Sequence, residues 1–331
     1  MGLDRAGGTS SGGNAASGNP PAFFFSVDIS YAPIIDDLAS RGFADARTGE
    51  TAFMLQRVSR QHMQPYLNVA LKFPSGDFPS VKEAHDILVF DRRLQSVLFK
   101  YIGVFETQFR AQYAHLMECE SGEMALYDSS LFLRPANYEK SRKHFDVEAE
   151  RKSKRHGTPE WAASRKNDDR LPVCVGVECM TLGTLSQFYA NTRSRRVTDG
   201  VAESFGCSKA ELSSWARTVC DVRNICAHFD SYVTRRQIPS VPLRIDGLKS
   251  DNNVPFHVVY ILLSLLSYEG LFGDMNLLYA ERMRREVVQL VRDFSSMYGH
   301  LLGPLGIPGS WEEDMIHSAD GRTVELTLVS N

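Results

Sequence analysis

Across 331 residues there is no C-x-x-C pair, and the six cysteines (Cys119, Cys174, Cys179, Cys207, Cys220 and Cys226) fall at no zinc-knuckle spacing. That argues against a zinc ribbon or a thioredoxin-type redox motif and leaves reduced thiols packed as small hydrophobes. An excess of charge is lacking too. The 37 Lys and Arg stand against 40 Asp and Glu, a net of −3, so no overall basic field advertises nucleic acid. Any RNA binding must then come from local patches. There is no basic-then-apolar leader of the secretory kind, and although the chain begins Met-Gly, Ala6 does not fit the myristoylation pattern. Neither a Walker loop nor a dinucleotide fingerprint occurs. His115, His144, His156 and His257 have no partners at metal-ligand spacing. The most apolar run, Val254 to Leu271, is broken by His257, Tyr260, Ser264, Ser267, Tyr268 and Glu269, which suits a buried core helix and not a membrane span. These absences lead us to expect a cytoplasmic protein with no membrane association, no metal and no cofactor.

What is present reads as mostly helical. At 43% hydrophobic and 23% charged the composition is that of a globular protein, and the length suits one large domain or two ordinary ones. Period-2 alternation is scarce and no internal repeat is found. Residues 1–25, rich in Gly, Ser, Ala and Asn, read as a disordered leader. Residues 26–80 read as an N-terminal helical segment with short helices over 31–41 and 50–61. A helical domain is expected over 81–300, followed by a peripheral tail over 301–331 in which Val324 to Val329 suggests a short strand. From Val81 to about Cys119 the apolar residues Ile87, Leu88, Leu94, Val97, Leu98, Tyr101, Ile102, Phe105 and Phe109 recur at helical period, with Gly103 the one internal glycine. One long helix or two nearly collinear ones would fit. Two further helices are expected at roughly 253–272 and 275–299. Residues 138–170 carry ten Lys/Arg against seven Asp/Glu, which reads as a solvated helix face, with an RNA-backbone patch as the sharper alternative.

The densest chemistry lies in Arg223-Asn224-Ile225-Cys226-Ala227-His228. Ser208-Lys209-Ala210-Glu211 has the form of a capping box, and nothing breaks the helix from there to about Phe229. At about 100° per residue, Leu212, Trp215, Val219, Val222, Ile225, Cys226 and Phe229 form a core face. Ser213, Arg217, Cys220, Asp221, Asn224, Ala227 and His228 gather opposite, with Arg223 at the edge. An arginine holds a phosphate through its planar fork of donors, and a histidine exchanges protons near neutral pH. Those are the parts needed to cleave RNA without a metal. Asn224, four residues before His228, is a candidate to orient the imidazole, and Asp221, seven before it, is its candidate charge partner. Arg223 and His228 stand about 140° apart on an ideal helix, with small Cys220 and Ala227 between. Earlier in the chain, Glu106 and Arg110 are one turn apart and expected to pair, either packing the long helix on the motif helix or lying beneath Arg223 and His228. Arg217, Arg235 and Arg236 are candidate RNA-backbone contacts, and Tyr232 is a candidate stacking surface.

Asp221 to His228 resembles the R-x4-H signature of HEPN ribonucleases and, more closely, the bacterial Abi-like family of abortive-infection proteins (the AbiD/AbiF type). Phe90-Asp91-Arg92-Arg93-Leu94, then Phe105-Glu106 and Phe109-Arg110, resemble that family's Asp-initiated helix leading to a Glu-x3-Arg pair. Thr181 to Tyr189 resembles its segment before the motif helix. After the histidine the pattern departs: Phe229-Asp230-Ser231-Tyr232-Val233-Thr234 stands where an arginine and then a tryptophan-asparagine-arginine run are usual, while Arg235 keeps a distal basic position. The resemblance implies an all-α HEPN-type bundle with N- and C-terminal helical extensions, a homodimer paired through the motif helices, and an RNA-cleaving defence effector or toxin restrained by an RNA or protein antitoxin. In that scheme Arg223, Asn224 and His228 are the catalytic residues. A non-catalytic helical RNA-binding or dimerisation module is the alternative.

Overall fold

The computed structural model describes residues 31–268, 270 and 273–320, and no strand forms among them. Three short helices lead: α1 (Ala32–Ser40), α2 (Gly49–Arg57) and α3 (Arg60–Lys72). The sequence suggests a single helix over 50–61, but Val58 is extended and Ser59 caps a new helix by accepting from the His62 N–H, so the stretch divides. Pro65, inside α3, disguises that helix in the sequence.

The apolar series beginning at Val81 winds into one helix, α4 (Val81–Ser121), of 41 residues. At about 1.5 Å per residue it runs roughly 60 Å. Ser80 starts it by accepting from the Glu83 N–H, and Gly122, at φ 83°, ends it. Leu94, Leu98, Phe105, Phe109 and Tyr113 are wholly buried along its length. Gly103 is exposed and meets nothing, so α4 passes through it without a break. The helix begins ten residues before Asp91, so the expectation of a helix initiated by Asp91 is corrected: Asp91 lies in its interior.

The remaining helices assemble around this axis: α5 (Pro135–Ser153), α6 (Pro159–Lys166), α7 (Val173–Cys179), α8 (Leu182–Asn191), α9 (Arg195–Glu203), α10 (Lys209–Ala227), α11 (His257–Leu266), α12 (Asp274–Tyr298) and α13 (Trp311–Asp320). Helices α3, α7, α9, α10, α11 and α12 all pack on α4. The all-α bundle is as expected. Helix α11 is buried at all ten positions, which accounts for its hydropathy, and among the described residues no helix is long and apolar enough to cross a membrane. Three of the basic residues at α5 and its C-cap are ion-paired, Arg142 with Asp146, Arg151 with Glu148 and Lys154 with Glu150.

Residues 301–320 are not a peripheral tail. Leu301, Leu305, Ile307 and Met315 are buried, α13 packs on α11, and Asp314 accepts the Lys249 and Ser250 N–H groups. The prolines that suggested a tail, Pro304 and Pro308, sit in the turn that brings α13 back onto the core. The 1–25 leader and the Val324–Val329 strand lie outside the described residues.

Candidate active site

The motif helix α10 starts with a complete capping box: the Glu211 N–H donates to the Ser208 hydroxyl oxygen and the Ser208 N–H to the Glu211 carboxylate, at 3.2 and 2.7 Å. Leu212, Trp215, Val219 and Val222 are fully buried against α4 and α8. Full burial of such side chains contributes about 1.5–3 kcal/mol each, so the helix is fixed by its apolar face and its polar face is left open to chemistry. Trp215 also donates from its indole N–H to the Leu243 carbonyl at 2.8 Å.

The C-terminal end is built by a Schellman turn. His228 is the C-cap, the Phe229 N–H returns to the Cys226 carbonyl, and the Asp230 N–H returns to the Ile225 carbonyl. Phe229 occupies the left-handed position at φ 54°, where glycine is usual. This corrects its expected place on the core face: the left-handed backbone turns the ring out of the helix, and Phe229 is 62% exposed. The Arg92 guanidinium lies 5.3 Å from its ring centroid.

Just before this turn lies the motif. Arg223 donates to the Asn224 side-chain oxygen at 3.3 Å and lies 6.0 Å from the ring centroid of Phe99, an exposed aromatic on α4. No carboxylate pairs with Arg223 among the described residues. The His228 imidazole is exposed and has no side-chain partner among them either. Asn224 faces away from it, donating to the Cys220 sulfur at 3.9 Å. Within one chain, therefore, Asn224 organises Arg223 and not His228. Asp221 is half-buried, and its Oδ2 is buried with no hydrogen-bond partner. Neither nearby thiol is poised as a nucleophile: burial pushes Cys220 up to about 11 and Cys226 up to about 12.

Glu106 and Arg110 do form the expected ion pair. Its destination differs from either expectation, because Arg110 donates to the carbonyls of Val177 and, at 2.8 Å, Met180. The pair thus satisfies the C-terminal carbonyls of α7 and locks that helix to α4. At the next step of the chain, Thr181 caps α8 by accepting from the Thr184 N–H, so the helix starts at Leu182 directly after it.

The chain leaving the motif is held by Asp91. This wholly buried carboxylate accepts the Tyr232 N–H at 2.8 Å, the Val233 N–H at 3.2 Å and the Tyr66 hydroxyl at 2.6 Å. Burial raises its pKa, against the pull of these hydrogen bonds. One turn along α4, the Gln95 amide donates to the Asp230 carbonyl at 2.8 Å. The clamp was missed from sequence, yet a signal was there: an acid at a core-facing position between Ile87, Leu88, Leu94 and Leu98 is costly unless paired.

The auxiliary residues divide. Tyr232 is wholly buried with its hydroxyl donating to the Pro255 carbonyl, so its expected stacking role is overturned. Arg235 donates to the Ser231 carbonyl at 2.8 Å and lies 3.8 Å from Asp230. Arg217 and Arg236 are exposed. Among the described residues no group of three or more His, Cys, Asp and Glu is clustered so as to hold a metal ion.

A protein-family model described as "Abi-like protein" matches residues 54–232, more than half of the chain, running from within α2 to the first residue clamped by Asp91. No curated protein and no solved structure matches the chain.

Proposed function

The chain belongs to the Abi-like protein family, and from that premise we propose that it is an abortive-infection effector of the HEPN type that cleaves RNA by metal-independent transesterification. One observation carries the proposal: an arginine with no carboxylate partner and a histidine with no partner share the exposed end of one rigidly capped helix. A buried or salt-bridged pair would have argued for structure. A half-buried cation with no carboxylate partner and an exposed imidazole are what a phosphodiester requires.

In this scheme the His228 imidazole takes the proton of the ribose 2'-hydroxyl, the 2'-oxygen attacks phosphorus, and the bond to the 5'-oxygen breaks as that oxygen is protonated. The products are a 2',3'-cyclic phosphate and a 5'-hydroxyl. Arg223, steadied by Asn224 and lying beside Phe99, neutralises the charge developing on the phosphoryl oxygens. One histidine cannot hold both protonation states at once, and Arg223 and His228 diverge by about 140° around their helix. A second copy, paired through the motif helices, would supply the acid to the first copy's base. The exposed Phe99 and Phe229 beside the motif suit such a face.

The test is induced expression followed by sequencing of RNA ends. New 5'-hydroxyl termini and growth arrest, both lost in Arg223→Ala and His228→Ala at equal protein level and both indifferent to chelator, are expected. Cleavage undiminished in His228→Ala would refute the mechanism, and RNA binding without cleavage would favour the binding-module reading.

A further inference from the structure

On the same helix, upstream of the motif, the start of α5, one face of α8, α10 and the segment at 239–241 enclose an open groove of about 1020 Å³. Three cations line it: Arg134, Lys140 and Arg217. All three are exposed, and none makes an ion pair or side-chain hydrogen bond among the described residues. Farther along, Arg142 and Arg151 on α5 and Lys154 at its C-cap each have an acidic partner. Arg217 has Asp221 four residues on along the helix, the usual spacing of a pair, yet the two make no ion pair and stay separately available.

Asp221 is the one acid in the groove lining. Its Oδ2 is buried with no hydrogen-bond partner, so the carboxylate is not committed to an internal donor there. About half of the remaining lining is amide and hydroxyl, from residues such as Asn137, Gln187, Ser213 and Ser240, beside apolar Leu133 and Val241 and with no aromatic ring. Such a surface suits a sugar–phosphate backbone and offers a base no stacking platform. Arg217 precedes His228 by eleven residues, about 16 Å along the axis and within about 20° around it, so the groove lies on the histidine's side of the helix, with Arg223 about 120° round from Arg217.

We infer that this groove holds the backbone of a single RNA strand leading to the motif, with Arg134, Lys140 and Arg217 on phosphates and the Asp221 carboxylate accepting from a ribose 2'-hydroxyl. The inference rests on the RNA-cleaving reading for its choice of polymer. Phosphate contacts position a strand without reading its sequence, and a 2'-hydroxyl donor is the feature that separates RNA from DNA. The groove therefore selects RNA as a class, and base preference must arise elsewhere.

The experiment measures binding, not cleavage, on the full chain carrying His228→Ala so that the strand survives. The probes are a labelled mixed-sequence RNA oligonucleotide and the DNA of the same sequence, titrated across salt. Each phosphate neutralised on a single strand contributes about −0.7 to the slope of log K against log salt. Combining Arg134→Gln, Lys140→Gln and Arg217→Gln should make that slope shallower by roughly 2, with thermal stability unmoved because the three side chains have no internal partners. Asp221→Ala should leave the slope alone and erase the preference for RNA over DNA. An unchanged slope in the triple variant overturns the groove assignment, as does failure of the His228→Ala chain to bind RNA. Equal affinity for RNA and DNA before Asp221 is changed overturns its role. If wild-type chain cuts no RNA but the slopes behave as described, the catalytic reading falls and the groove stands.

Discussion

Replacing Asp91 with alanine should loosen the motif's exit more than any single change within the motif itself. Three donors converge on that carboxylate: the Tyr66 hydroxyl and the Tyr232 and Val233 N–H groups. Removing it orphans all three in a buried place, at about 1–3 kcal/mol for each unsatisfied group. Loss of an unfavourably buried charge offsets part of this, so a net cost of about 3 kcal/mol is expected for Asp91→Ala, a large share of the usual 5–15 kcal/mol. Asparagine keeps one oxygen that accepts two donors but turns an NH2 toward the third, so Asp91→Asn should cost about 1–2 kcal/mol. Urea denaturation of the three proteins, with unchanged m-values, measures the series. The pH dependence adds a second reading. Because burial raises the folded pKa of Asp91, its contribution is complete below the unfolded carboxylate value near 3.9 and declines as pH rises through the folded value. The advantage of wild type over Asp91→Asn should therefore shrink as pH rises. Asp91→Ala within 1 kcal/mol of wild type, or equal to Asp91→Asn, would refute the clamp.

Burial depresses His257 from 6.5 to about 4, and neither ring nitrogen has a hydrogen-bond partner. The unfolded chain binds the proton more readily, so this stability is whole above pH 6.5 and lost as pH falls toward 4, by roughly 3 kcal/mol in all. His257→Leu should remove that acid-sensitive loss, and equal losses in both proteins between pH 8 and pH 4 would contradict it. At Phe229, relief of left-handed strain of about 1–2 kcal/mol exceeds an exposed cation–π contact of about 0.5–1 kcal/mol. Melting temperatures should then rank Phe229→Gly above wild type and wild type above Phe229→Ala, and an alanine variant more stable than the glycine one would show that strain is not what the turn stores.

The all-α class, the long helix from Val81, the capping box at Ser208 and the core face from Leu212 to Cys226 were legible because each depends on local spacing. So was the Glu106–Arg110 pair, as a pair. Its role was not, since the carbonyls it reaches belong to α7, nearly seventy residues away, and no local pattern announces them. Tyr232 misled for the same reason: an aromatic after a polar motif looks available until Asp91 and the Pro255 carbonyl are found to draw it inward. Phe229 failed in the opposite sense, because angular projection assumes the helix continues, and a left-handed residue after His228 voids the assumption. Lys140 was legible only as a member of the basic region at 138–170 and Arg134 lay outside it; what distinguishes them, the lack of an ion pair among the described residues, is a property of the fold.

One helix, α4, carries the exit clamp at Asp91 and Gln95, the ring of Phe99 beneath Arg223, and the lock on α7 at Arg110. All are fixed to a single screw axis. A residue inserted or deleted between Asp91 and Arg110 would turn one set relative to the other by about 100° and slide it about 1.5 Å, so no neighbouring helix could answer both at once. Surface loops generally absorb changes of length; this interval should not. It sets the register of the candidate site as the pitch of a thread sets the advance of a nut, and chains that share this architecture should be able to lengthen nearly anywhere but here.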